Sequence, residues 1–308
     1  MRKRIDKKRL LAVALLVVQL LLTACGVQAD GAKQESEQDW PYLRVDFIDV
    51  GQADFIIVEC DGVYMTIDAG NVADSNIVYS HLKQRNITEI DTVIITHAHE
   101  DHCGGVNTLL NYTTINKLYC PDVEYDTYTF RTLLHAIREK GIEITVPVPG
   151  ESFSLGSALV QIFGPIGTYE DLNNSSIVVK VTFGERSFLF TGDAEREAEA
   201  DILNAGVDVS AEVLKIGHHG SYSSTSYVFL KAVAPRYAVI SSDREEFPEY
   251  NHPHEVVVSR LRDADVEVYR TDLQGTITFI TFGDEYAIFV EKNPDADTLF
   301  DAGGGSGQ

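Results

Sequence analysis

The sequence predicts an α/β protein built as a four-layer αββα sandwich, and three observations lead there. Strand-like apolar runs are interleaved with helical segments through two successive halves of the chain. No Pro- or Gly-rich linker divides residues 41–291, so both halves belong to one domain. A dense histidine and aspartate cluster follows directly on one strand, the place where α/β folds build their sites.

Taken in order, the basic residues Arg2, Lys3, Arg4, Lys7, Lys8 and Arg9 precede the apolar run Leu10 to Leu22, which ends at "LTACG". That run is too short for a membrane span and reads as a secretory signal over residues 1–24. Leu22-Thr23-Ala24-Cys25 resembles a bacterial lipoprotein signal site, which implies that Cys25 carries lipid and that the membrane is a partner through this anchor. An uncleaved anchor or simple secretion is the plainer alternative, and each version places the domain outside the cytoplasm. Residues 25–40 are polar and without periodicity, as expected of a flexible tether.

From Pro41 the runs "LRVDFIDV", "DFIIVEC" and "VYMTIDAG" read as adjacent strands, with "DVGQAD" as a turn between the first two. The helical "ADSNIVYSHLKQR" follows, then the strand "IDTVIITH", then "CGGVNTLLN" as a helix leading away. In the second half, strands are expected at "ALVQIFG", "SIVVKVTFG", "SFLFTGD", "EVLKIGH", "YAVISS" and "GTITFIT". Helices are expected at "AEREAEADILNA", "STSYVFLKAVA" and "HPHEVVVSRLRDA". Residues 292–308, Gly-rich at the end, read as a flexible tail.

Composition bounds the function. With 308 residues, 44% of them hydrophobic, the chain can bury a sizeable core. The formal charge is −22, and removal of residues 1–24, with six basic residues and Asp6, takes it to −27. Such a balance excludes generic coating of nucleic acid, unless Lys215, Lys231, Arg236, Arg260 and Arg262 gather at a cleft. Cys60, Cys103 and Cys120 contain no CxxC, which excludes a zinc ribbon; Cys103 reads as a small buried residue, and one disulfide remains open.

The cluster "THAHEDHCGG" places His97, His99, Asp101 and His102 within six positions, all good metal ligands. His97 and His99 project to one side of the loop, while Asp101 and His102 face a second point, so two ions are expected. This HxHxDH arrangement resembles the metallo-β-lactamase superfamily. Together with "FIDVGQADFIIVE", "TIDAG", "NNSSIVVKVTFGERSFLFTGDAE", "VLKIGHHGSYSSTS" and "YNHP", it is similar over roughly residues 44–282 to the hydrolase domains of the ComEC competence family, and also to surface phosphorylcholine esterases.

The resemblance implies one metal on His97 and His99 and a second on Asp101 and His102, with zinc the default ion and manganese the alternative. It implies that Asp193 of "TGD" bridges both; capping the following helix is the plain alternative for that residue. His218 and His219 supply a ligand and an acid–base or supporting histidine. Alternation along a strand would point them to opposite faces, and His219 is the preferred ligand. Asp68 is expected to orient the histidine loop, and His252 to coordinate, touch substrate or cap a helix. Many superfamily hydrolases supply a further histidine before the "GD" aspartate; here none lies between His135 and His218, which leaves Asn174 or solvent to complete the first site.

Asp101, Asp193 and His218 thus form the expected catalytic set, serving a metal-activated hydroxide that attacks a phosphodiester. DNA is the leading substrate. A surface esterase for choline-phosphate or teichoic-acid units is the alternative, and a non-catalytic accessory of DNA uptake is the other class. The sequence leaves the oligomeric state open.

Overall fold

The computed structural model describes residues 40–245 and 248–299. The expected signal peptide of residues 1–24, Cys25, nearly all of the expected tether and residues 300–308 lie outside the described residues. Beginning at Pro41, β1 (Leu43–Phe47), β2 (Ile56–Cys60) and β3 (Val63–Ile67) form an antiparallel meander. Helix α1 (Ser75–Gln84) then crosses to β4 (Glu89–Ile94), which lies parallel to β3. The short α2 (Glu100–Cys103) and α3 (Val106–Tyr112) lead to β5 (Thr114–Tyr119), and α4 (Tyr128–Glu139) leads to β6 (Ile144–Thr145).

The second half runs β7 (Ser152–Leu155), β8 (Ala158–Ile162), β9 (Val179–Phe183), β10 (Arg186–Phe190), α5 (Arg196–Asn204), β11 (Val213–Lys215), α6 (Tyr227–Val233) and β12 (Tyr237–Ile240). It closes with α7 (Glu255–Asp263), β13 (Glu267–Arg270), α8 (Thr271–Gln274), β14 (Ile277–Thr281) and β15 (Tyr286–Val290). One sheet has the order β15-β14-β1-β2-β3-β4-β5-β6 and the other β13-β12-β11-β10-β9-β8-β7. Because β14 pairs antiparallel with β1, the last two strands, β14 and β15, return to the first sheet and tie the halves together.

The period of two along each strand assigns its residues to layers. In β1, Leu43, Val45 and Phe47 enter the core between the sheets, where they meet Val179, Val181, Phe188 and Phe190 of β9 and β10. The intervening residues of the second sheet, Leu189, Leu214, Ala238 and Ile240, face outward onto Ala198, Ile202, Phe229 and Leu261 of α5, α6 and α7. On the other side Ile57, Ile90 and Val93 pack with Val78 and Leu82 of α1 and with Phe130, Leu133 and Ile137 of α4. Three apolar layers separate two helical and two sheet layers, which is the αββα sandwich. Both faces of each sheet are covered, so the strands read as nearly continuous apolar runs.

Several expectations need correction. Residues 292–299 do not begin a loose tail: Lys292 N donates to Gln274 O at 2.9 Å, and Thr298 is buried with its hydroxyl on Val268 O at 2.8 Å. Elements β5, β6, α4 and β7 occupy a stretch to which the sequence assigned nothing. Cys60, Cys103 and Cys120 are all buried free thiols, so no disulfide joins them.

Candidate metal centre

The site forms where strands of both sheets end together. β3 delivers Asp68, β4 the loop from Thr96 to His102, β10 Asp193, β11 the turn with His218 and His219, and β12 Ser241. Asp68, with φ +57°, turns its carboxylate back on the histidine loop. Oδ1 accepts from Thr96 N, and Oδ2 from the Thr96 hydroxyl and from His102 Nδ1, each at 2.7 Å. A histidine that donates at Nδ1 presents a lone pair at Nε2, so Asp68 sets the tautomer with which His102 faces the centre.

Two groups of donor atoms meet at Asp193, which is buried. Around one, Asp101, His102, Asp193 and His219 bring a ligand atom each to within 4.8 Å of one another. His219 Nε2 lies 3.2 Å from His102 Nε2 and 3.2 Å from Asp101 Oδ2, while its Nδ1 donates to Ser241 O at 3.0 Å. Around the other, His97 Nε2 and His99 Nδ1 are 3.0 Å apart, and His97 Nε2 and His218 Nε2 each stand 3.7 Å from Asp193 Oδ2. The His218 ring is held from behind by Glu195 at 3.2 Å.

The donor set fits divalent cations. Asp193 Oδ1 is buried without a hydrogen bond; His102 Nε2 lies 3.3 Å away, outside hydrogen-bonding geometry. Imidazole nitrogens within about 3 Å of each other, beside carboxylates, are the mixed N/O set of zinc, manganese or iron. The electrostatics agree. Burial pushes His102 down, but Asp193, Asp68 and Asp101 outweigh it and hold the ring well above its ordinary value. Burial likewise opposes ionisation of Asp193, and His102, His218 and His219 overcome it to keep that carboxyl well below its usual range. Burial and the neighbouring His102 hold His97 far down, as a neutral donor.

One expectation and two alternatives change here. His218 and His219 do not alternate across a strand: β11 stops at Lys215, and both residues adopt left-handed backbone (φ +50° and +52°), which brings both rings to Asp193. Asp193 does not cap α5, whose N-cap is Glu195. Asn174 does not enter the centre, because its Oδ1 accepts from Glu195 N at 2.9 Å and braces the start of α5.

The site opens into a cavity of about 390 Å³ lined by Gln52, Asn71, His99, Glu100, Asp101, Asp193, His218, His219, Tyr250 and His252. His252 stands at its wall, with Nδ1 2.9 Å from Gln52 Nε2. The five basic residues do not gather here. Lys215 is buried under the centre, 2.9 Å from Asp54; Arg236 lies over the Tyr237 ring; Arg260 binds the carbonyls of Ser224 and Thr225. Gln52, Glu195 and Asp54 are residues that sequence reasoning missed, and Lys215, weighed as a cleft cation, is instead the buried partner of Asp54. The only signal of the first three was proximity to motif residues, since spacing says nothing about a partner far along the chain.

Residues 48–242 match the profile of the metallo-beta-lactamase superfamily. The chain is 30% identical over 255 residues to ComE operon protein 3 of Bacillus subtilis, covering 77% of this chain and 33% of that protein. It is 28% identical over 237 residues to competence protein ComA of Neisseria gonorrhoeae, covering 75% and 31%. The chain thus spans about a third of the length of these curated relatives. The crystal structure of the metallo-beta-lactamase fold protein YhfI from Bacillus subtilis superposes with a TM-score of 0.50 at 10% identity, over 78% of this chain and 100% of that one, a likeness of fold. With the αββα sandwich, the paired donor sets and this match, the chain belongs to the metallo-beta-lactamase superfamily of metal-dependent hydrolases.

Proposed function

We propose that the chain is a phosphodiesterase acting on DNA outside the cytoplasm, held to the membrane by lipid on Cys25. The observation that carries the chemistry is Asp193, whose two oxygens stand between two donor sets. On this reading His97, His99, His218 and Asp193 hold one cation, and Asp101, His102, His219 and Asp193 hold the other. Zinc is the first choice and manganese the second. His218 takes the place that the sequence offered to Asn174.

When bound, two such ions acidify water and offset charge on a phosphoryl group. The chain's own work is to aim the ligands and screen the centre. Asp68 fixes His102, Ser241 O fixes His219, and Glu195 steadies His218. Asp193 and Asp101 supply the negative charge that retains cations.

DNA as substrate draws on the competence relatives named above. The absence of Lys and Arg from the cavity lining, among the described residues, favours a second reading, a small phosphodiester such as a choline-phosphate or teichoic-acid unit. No helix among the described residues is long and apolar enough to cross a membrane.

The test is elemental analysis of the purified chain, combined with cleavage of bis(p-nitrophenyl) phosphate by wild type, Asp101→Ala and Asp193→Ala. Wild type should bind divalent metal and turn over the ester, and both variants should lose about 100-fold or more. Equal rates in all three would leave only an accessory role. Running plasmid, single-stranded DNA and a choline-phosphate ester side by side then separates the two substrate classes.

A further inference from the structure

We infer that His252 is a neutral hydrogen-bond donor to the substrate, its ring proton fixed on Nε2 by Gln52 so that it can hold a phosphoryl oxygen. The inference rests on the phosphodiesterase reading and assigns a role to two motifs that the metal centre leaves unused, the "DVGQAD" turn and "YNHP".

Gln52 sits in the turn between β1 and β2, and its amide has one workable orientation. The backbone N–H of Asp243 donates to Oε1 at 3.2 Å, so the NH2 group is the end that faces His252 Nδ1 at 2.9 Å. The opposite orientation would set the Asp243 N–H against the NH2 group. Since an NH2 group can only donate, Nδ1 must accept. A neutral imidazole that accepts at Nδ1 carries its proton at Nε2. Both partners are buried, so water does not compete freely for this contact.

The same tautomer rules out metal coordination through Nε2, because a protonated nitrogen has no lone pair to give. His252 also belongs to neither donor set: its ring centroid lies 5.7 Å from that of His218 and 6.4 Å from that of His219. Yet it lines the same cavity, stacked on Tyr250 at 5.9 Å, and among the described residues no hydrogen bond takes up Nε2. A cavity lined by no Lys or Arg among the described residues needs a donor for the phosphoryl oxygens that the cations do not reach. A rigid, uncharged N–H supplies it without competing for the metals. Gln52 is then a positioning residue, acting through His252.

The full-length, metal-loaded protein with ¹⁵N-labelled histidine tests this. The His252 ring nitrogens should report the Nε2–H tautomer, and inorganic phosphate should shift the Nε2 signal. Gln52→Glu, whose carboxylate accepts, should move a proton onto Nδ1. His252→Ala should lower kcat/KM for bis(p-nitrophenyl) phosphate about 100-fold with bound metal unchanged, and His252→Gln, which keeps an N–H near Nε2, should recover about tenfold. Gln52→Leu should cost about tenfold. An Nδ1–H tautomer in wild type, or loss of a metal ion in His252→Ala, overturns the assignment. If wild type cleaves no ester, the phosphodiesterase reading falls, while the tautomer and the phosphate titration still decide whether His252 is a donor.

Discussion

At the scale of single residues, the centre depends on side chains that never touch it. Gly192 has φ +49°, and a β-carbon there would come within 2.9 Å of Thr96 Cβ and 3.0 Å of Ser176 Oγ. Those two hydroxyl residues flank His97 Nδ1 at 3.1 and 3.4 Å, and the Ser176 hydroxyl accepts from Asp193 N at 3.0 Å. A methyl group at 192 therefore carries a left-handed strain and also pushes apart the residues that hold a ligand from each sheet. Gly192→Ala should lose about 1–3 kcal/mol of stability, read by urea unfolding, and bind less metal by elemental analysis. A variant as stable and as well loaded as wild type would show that the glycine is incidental. The candidate ligands themselves are the legible part of the site. Short spacing marked His97, His99, Asp101 and His102, because all four lie on one loop. Asp193, His218 and His219 are distant in sequence and were reached through resemblance to a family. Strand alternation misplaces His218 and His219, because it presumes a strand that has in fact ended at Lys215.

At the scale of elements, the sequence revealed those whose faces are both buried. β1, β2, β9, β10 and β12 are apolar enough to identify themselves. β6 has two residues and β7 is half exposed, so their strand character comes from pairing with β5 and β8, which the sequence does not display. Helix docking uses buried charge that is equally hard to foresee. Arg85, the C-cap of α1, pairs with Asp46 of β1 and Glu59 of β2, while Arg44 holds Asp46 at 2.9 Å. Burial would raise the Asp46 carboxyl, but Arg85 and Arg44 outweigh it and hold it below its ordinary value. A carboxyl depressed by folding contributes stability above its unfolded pKa and loses it as the pH falls through the folded one. Asp46→Asn, which leaves Arg85 without this partner, should therefore cost about 3 kcal/mol at pH 7. The deficit should shrink as the pH drops below about 4, where Asp46 of the unfolded chain protonates first, and be lost once the pH passes the lower folded-state value. Urea unfolding of both proteins across that range measures it, and a deficit independent of pH would mean that the charge of Asp46 does not hold α1 in place.

At the scale of the whole molecule, the two sheets must keep a fixed spacing, because each supplies part of the centre. The apolar layer between them sets distance but is indifferent to small slides. Lys215 of β11 and Asp54, just before β2, add a charged link: both are buried, and Nζ lies 2.9 Å from Oδ1 as an ion pair while it donates to Ile216 O at 3.0 Å. The link reaches the candidate ligands. Asp54 Oδ1 is 3.7 Å from His219 Nδ1, and Asp54 N donates to Asp101 O at 3.1 Å. Lys215→Met strands a buried carboxylate and should destabilise the fold by about 3–5 kcal/mol. Lys215→Met with Asp54→Asn removes both charges and should recover much of that loss, because the penalty lies in the unpaired ion and not in the missing contact. The double variant should nevertheless bind metal more weakly than wild type, since no ion pair then fixes one sheet against the other at the centre. Thermal unfolding with and without added zinc reads both effects: stability recovered in the ion-free protein, and a smaller upward shift in Tm on adding zinc. A double variant that matches wild type in its zinc-induced shift would assign Lys215 to fold stability alone.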